Sequence, residues 1–169
     1  MKRILILGAT GFVGRHICTR LSQAGWSAIV PSRSPAAARH LAGLPRVDVV
    51  PGDVHDEATL IRLLAGADAV VNLVAILHGS EAAFEQVHVE LPKKLARACA
   101  AAGVRRLVQI SALGAALDGP SMYQRSKARG EAVLHTEAAA DFLDLTVLRP
   151  SVIFGAQDKF LNVFAQLQR

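Results

Sequence analysis

The sequence predicts an α/β protein built on one doubly wound parallel sheet. Two observations carry that expectation. Six short apolar runs alternate with helical stretches along the 169 residues, and a glycine-rich turn joins the first run to the first helix. Ile4 to Leu7 form a run that can be buried on both faces, as a central parallel strand requires.

Gly8, Gly11 and Gly14 come next, followed by an amphipathic run through Ile17 and Leu21. In a strand-turn-helix setting each glycine has a distinct use. Gly8 allows the sharp turn, Gly11 lets a pyrophosphate approach the backbone, and Gly14 lets the helix pack close to the strand. The helix N-terminus offers N–H groups and partial positive charge to the phosphates. Thr10, Phe12 and Val13 lie within the same turn.

Composition bounds the remainder. With 51% hydrophobic and 20% charged residues, the chain reads as one ordinary globular domain over 1–169, with no low-complexity tract. The run after Met1-Lys2-Arg3 is too short for a signal peptide, and Ala69 to Leu77, interrupted by Asn72, falls short of a membrane span. Cys18 and Cys99 sit on apolar helical faces and suit reduced thiols, and a cytoplasmic location is expected. The net charge of +5 is scattered, with one Trp and one Tyr to stack on bases, which argues against nucleic acid as partner. The six histidines have no Cys or carboxylate at ligand spacing, so no metal is expected.

The second strand, Ser27 to Val30, ends in Pro31-Ser32-Arg33-Ser34-Pro35. A carboxylate here would take the ribose hydroxyls of NAD. None is present, and Ser32 with Arg33 suits a 2′-phosphate, so NADP(H) is expected ahead of NAD(H). The alternative is a solvated arginine ahead of a helix over Pro35 to Leu44. The third strand, Val47 to Val50, leads to Gly52-Asp53-Val54-His55-Asp56. Asp53 is placed either to accept from an adenine amino group, with Val54 covering the ring, or simply to make a turn. Asp56 is the expected N-cap of the helix Glu57 to Ala65.

The fourth strand is Ala69 to Val74, where buried Asn72 needs a partner and small Ala75 would admit a ribose. Ser80 to Ala102 reads as a long helical stretch that Pro92 must kink or divide. Arg106 to Ile110 is the fifth strand and leads to Ser111. Leu145 to Leu148 is the sixth, followed by Arg149-Pro150. A last helix over Lys159 to Gln168 would carry Phe160, Val163, Phe164 and Leu167 on one face.

Tyr123 and Lys127, four apart on a predicted helix, share a face. A phenol is a weak base at neutral pH, with a reference pKa near ~10, and an adjacent ammonium favours the phenolate. Such a pair suits acid/base work on an alcohol or carbonyl.

Together, Gly8 to Gly14, Gly52-Asp53, Ser111, Tyr123/Lys127 and Arg149-Pro150 resemble the extended, atypical branch of the short-chain dehydrogenase/reductases, the NAD-dependent epimerase/dehydratase-like group. Phe84 to Val87, Tyr123 to Glu131 and Arg149 to Gly155 are similar to the NADPH-binding accessory subunits of respiratory complex I and their bacterial relatives. The resemblance implies a Rossmann fold whose family-typical C-terminal substrate domain is missing, so that this chain is the cofactor part of a longer protein. It implies cofactor contacts at Gly8, Thr10, Gly11, Phe12, Val13, Gly14, Ser32, Arg33, Asp53, Val54, Ala75, Ser111, Tyr123, Lys127 and Pro150. Tyr123, Lys127 and Ser111 would be the catalytic set. Active members place a Ser or Thr slightly beyond the first residue of the turn after the fifth strand. Here Ala112 and Leu113 follow Ser111, and His88 stands near a position where such enzymes often carry Asn. Both an NAD(P)-dependent oxidoreductase or epimerase and a non-catalytic NADPH-binding subunit therefore stay open, as do a homodimer and peripheral association with a larger complex.

Overall fold

The computed structural model describes residues 2–138, 142–155 and 158. The expected last helix lies outside them. Six parallel strands form one sheet: β1 (Arg3–Leu7), β2 (Ser27–Ser32), β3 (Val47–Pro51), β4 (Ala69–Asn72), β5 (Arg106–Ile110) and β6 (Asp144–Leu148), in the order β3-β2-β1-β4-β5-β6. Chain order reverses between β1 and β4. The crevice outside the carboxyl ends at that reversal is the general ligand position of open α/β sheets.

Alternation along β1 sorts the core into two layers. Leu5 and Leu7 pack with Val70, Leu107 and the helices α3 (Glu57–Leu64), α5 (Leu91–Ala102) and α6 (Met122–Ala138). Ile4 and Ile6 face the other way, onto Ala28, Val30 and Cys18 of α1 (Phe12–Gln23). Leu5, Leu7, Leu60, Leu64, Leu95 and Leu107 are fully buried, and each contributes roughly 1.5–3 kcal/mol of transfer free energy. Both cysteines are buried and free.

Two elements differ from the sequence expectation. The helix after Pro35 spans only Pro35–Ala38 (α2); Ser34 precedes it in extended conformation without a side-chain cap. Strand β4 stops at Asn72 because the Asn72 side-chain oxygen accepts the Val74 N–H at 3.1 Å, turning the chain out of the ladder. As expected, a second segment begins beside Pro92: the stretch divides into α4 (Glu81–Glu85), a wide π turn over Gln86–Glu90, and α5. Proline supplies no N–H, so the His88 carbonyl four residues earlier loses its α-helical donor. The ladder widens there, and Leu91 N–H donates to the Gln86 carbonyl. Asp56 does cap α3, accepting from Thr59 N–H at 3.0 Å.

Candidate cofactor and active site

The glycine turn sits at the reversal point. Gly8, at φ +79°, lies so close to β4 that a Cβ there would come within 3.1 Å of the Leu73 and Val74 backbone. Gly14 packs α1 on the strand: its Cβ would sit 2.3 Å from the Ala9 Cα. Gly11 differs from both. The nearest atom to a Cβ on it is the Gly8 carbonyl at 3.4 Å, so its outer side is open for a ligand. Gly11 is the N-cap of α1 and has no side-chain cap, and no acidic residue stands in the first turn. An anion fits there electrostatically.

A cavity of about 530 Å³ opens beside this turn and brings Gly8 and Thr10 together with Ser32, Arg33 and Val54. These residues come from the ends of β1, β2 and β3, as the motif reading expected. Arg33 is exposed and Ser32 is half-buried, and among the described residues no carboxylate lines the cavity. Ser32 Oγ is held locally, donating to the Ser34 carbonyl at 2.8 Å and accepting Ser34 N–H at 3.2 Å. It shapes the loop, and Arg33 brings a guanidinium charge to the lining. Asp53 is exposed and does not line the cavity; its carboxylate accepts His55 N–H at 3.0 Å, which is the turn role. Ala75 is exposed and outside this cavity as well.

His55 was missed by sequence reasoning and lines the cavity. Burial lowers its pKa first, Asp53 opposes that, and Arg33 and Lys94 lower it further. Lys94 Nζ donates to the His55 carbonyl at 2.8 Å. Its position two residues after Gly-Asp at a strand end was the available signal.

Phe12 and Val13 turn their side chains away, into a second, mostly apolar cavity with Ile17, Ile153 and Phe154. Their contribution to the turn is through the backbone at the start of α1.

At the other end of the crevice, Tyr123 lines a cavity of about 470 Å³ with Ala112, Leu113 and Pro150. Burial raises the Tyr123 pKa. Lys127 is buried, and its Nζ donates to the Ile110 carbonyl at 2.6 Å. Desolvation lowers its pKa to about 8, with Glu131 opposing. The same carbonyl accepts Gln109 Nε2 at 3.1 Å, while Gln109 Oε1 accepts Asn72 Nδ2 at 2.9 Å. Asn72 is thus satisfied by a side chain as well as by the backbone. Ser111, next along, is 4% exposed and its Oγ has no hydrogen-bond partner among the described residues, a buried polar atom that a ligand hydroxyl would satisfy.

His88 joins the site from the π turn. Its Nε2 accepts Ile76 N–H at 3.1 Å, and its Nδ1 is 2.8 Å from Ser126 Oγ. Ser126 Oγ donates onward to the Tyr123 carbonyl at 2.9 Å, so the ring must donate from Nδ1. The neutral Nδ1–H form follows, and burial together with Lys127 lowers the His88 pKa to about 4. Glu131, buried on α6, binds Arg149 through both carboxylate oxygens, with Nε at 3.0 and 3.1 Å and Nη2 closer still. The pair ties the chain after β6 to the helix of Tyr123.

A parallel sheet in this order, with a glycine turn at the reversal and a Tyr-x-x-x-Lys helix after β5, defines a nicotinamide dinucleotide-binding domain of the short-chain dehydrogenase/reductase type. Residues 4–167 match the NAD dependent epimerase/dehydratase family, and the chain belongs to it. It is 33% identical over 165 residues to the mitochondrial NADH dehydrogenase (ubiquinone) 1 alpha subcomplex subunit 9 of Mus musculus, covering 95% of this chain and 43% of that protein. It is also 33% identical over 156 residues to a ceramide reductase of Caulobacter vibrioides, covering 92% and 47%. Among solved structures, the dTDP-glucose 4,6-dehydratase DesIV of Streptomyces venezuelae, a double mutant with NAD bound, superposes with a TM-score of 0.86 at 25% identity, covering 98% of this chain and 62% of that one. The chain therefore spans less than half the length of the curated relatives named here. Among the described residues no helix is long and apolar enough to cross a membrane.

Proposed function

We propose that the chain is an NADP(H)-binding domain whose Tyr123 acts as acid/base in hydride transfer at an alcohol or carbonyl carbon. The observation that carries the cofactor reading is the cavity in which Arg33 meets the glycine turn with no carboxylate among the described lining residues. Gly8 to Gly14 would hold the pyrophosphate, Arg33 the 2′-phosphate with Ser32 shaping its loop, and Val54 the adenine. Asp53 keeps its turn role, and Ala75, outside the cavity, is assigned no cofactor contact. Ser111 and Lys127 would take the nicotinamide ribose, and Pro150 would flank the ring. When bound, the cofactor supplies or accepts the hydride. Tyr123 moves the proton, and protonated Lys127 favours its phenolate.

Three observations favour a second reading, a non-catalytic subunit that holds NADPH while docked on a larger assembly. Lys127 is engaged by the Ile110 carbonyl, burial raises the Tyr123 pKa, and Ala112 and Leu113 offer no hydroxyl to polarise a carbonyl. Tyr123→Phe separates the two. An enzyme loses at least a hundredfold in turnover while NADPH affinity stays within about twofold. A binder has cofactor-dependent melting and no NADPH-dependent turnover with any alcohol or carbonyl offered. Cytoplasmic location is proposed with the enzyme reading; the relatives that are mitochondrial subcomplex subunits favour a setting in a larger complex for the binder.

A further inference from the structure

We propose that the cavity beside Tyr123 takes a lipid-type substrate, one carbonyl or alcohol on a long apolar chain, and excludes sugars. The proposal rests on the NADP(H)-dependent reading above and deepens it.

The walls of this cavity are Leu77, Ala112, Leu113, Val152 and Ile153, with Tyr123 at one side. Besides the phenol, Ser151 is the one side-chain hydroxyl among the described lining residues. A sugar carries a hydroxyl on nearly every carbon, and each left without a partner on entering an apolar site is penalised. Two hydroxyls cannot satisfy such a ligand. They do suffice for one carbonyl oxygen.

The mouth is apolar as well. Leu77 and Leu113 are each 67% exposed, Val152 53% and Ile153 42%. Single exposed leucines are ordinary, but four bulky apolar side chains around one cavity form a patch that gains by being covered. The cavity, at about 470 Å³, is large enough to bury part of an alkyl chain. The position after Ser111, where a polarising hydroxyl would stand, adds Ala112 and Leu113 to this surface.

The step balances as a two-electron reduction. The dihydronicotinamide gives a hydride to the carbonyl carbon, and the π pair moves onto oxygen. That oxygen takes the Tyr123 hydroxyl proton. A C–H and an O–H bond replace the C=O π bond, NADPH is oxidised to NADP⁺, and the phenolate regains its proton from water.

The test is a series of methyl ketones from butan-2-one to dodecan-2-one, offered to the full chain with NADPH. Binding is read by saturation-transfer NMR, turnover by NADPH absorbance, and cofactor binding separately by calorimetry. Affinity should rise roughly fourfold per added methylene until the cavity is filled. Leu77→Ser combined with Leu113→Ser should weaken dodecan-2-one at least tenfold. Leu117→Ser, on a separate cleft with Arg125 and Arg129, should leave the series unchanged. NADPH binding with a flat ketone series overturns the lipid-type substrate alone, whether another polypeptide segment covers the walls or nothing does. Preferential binding of UDP-glucose overturns it too. A steep ketone series without NADPH binding overturns the cofactor reading and leaves the apolar cavity standing.

Discussion

The His88 carbonyl faces Gly130 so closely that a Cβ on Gly130 would lie 1.9 Å from its oxygen. The carbonyl is the one that Pro92 deprives of its α-helical donor, and Gly130 lies on α6 between Lys127 and Glu131. The backbone of α6 is therefore seated directly on the π turn. Gly130→Ala should destabilise the fold by about 2 kcal/mol or more, since backbone on both sides resists the shift. Thermal melting checks this; an unchanged melting temperature would mean that the two elements are not locked together.

His88 should give the stability curve an acid-side slope. Its pKa in the fold, about 4, lies below its ordinary value of 6.5. Between these values the unfolded chain binds more protons, so stability falls as pH falls through this window. The expected loss from pH 7 to pH 5 is about 2 kcal/mol from this group. His88→Asn should flatten that part of a denaturant-derived pH profile. His55 and His40 are also shifted downward and supply the slope that remains. A variant as steep as the parent would show that His88 is not the buried neutral ring described above.

Asn72 links the sheet to the cofactor turn. Replacing it with Ala removes the donor to Gln109 Oε1 and the acceptor of Val74 N–H, next to the backbone that confines Gly8. The change should reduce stability by about 1–3 kcal/mol and weaken NADPH more than fivefold by loosening the turn. Full affinity in a destabilised protein would confine Asn72 to the core.

What could be read from sequence was local. The glycine turn announces itself because its demands are partly local, a positive φ at Gly8 and the close approach of Gly14 to Ala9, and Asp56 announces a cap by the same logic. Tyr123 and Lys127 sit on one helix as their spacing requires, and the six strands alternate as the apolar runs do. Partners distant in sequence stayed hidden. Gln109 meets Asn72 across 37 positions, Ser126 meets His88 across 38, and Arg149 meets Glu131 across 18. Nothing in the local pattern marks those side chains as a pair. The end of β4 moved for a related reason: at Asn72 a side chain takes over a backbone N–H and ends the strand early. Asp53 shows the limit in the other direction, since its turn role and its ligand role use the same residue at the same place, and only the bond to His55 distinguishes them.

The central claim is that Arg33, at the mouth of the glycine-turn cavity, selects a 2′-phosphorylated dinucleotide. Calorimetric titration of the protein with NADPH and with NADH, beside Arg33→Ala, tests it most directly. The account predicts that NADPH binds at least tenfold tighter than NADH and that the variant loses this preference while NADH affinity changes less than twofold, as expected for one charge-assisted contact. Equal affinity for the two cofactors in the parent protein, or a preference that survives in Arg33→Ala, would contradict it.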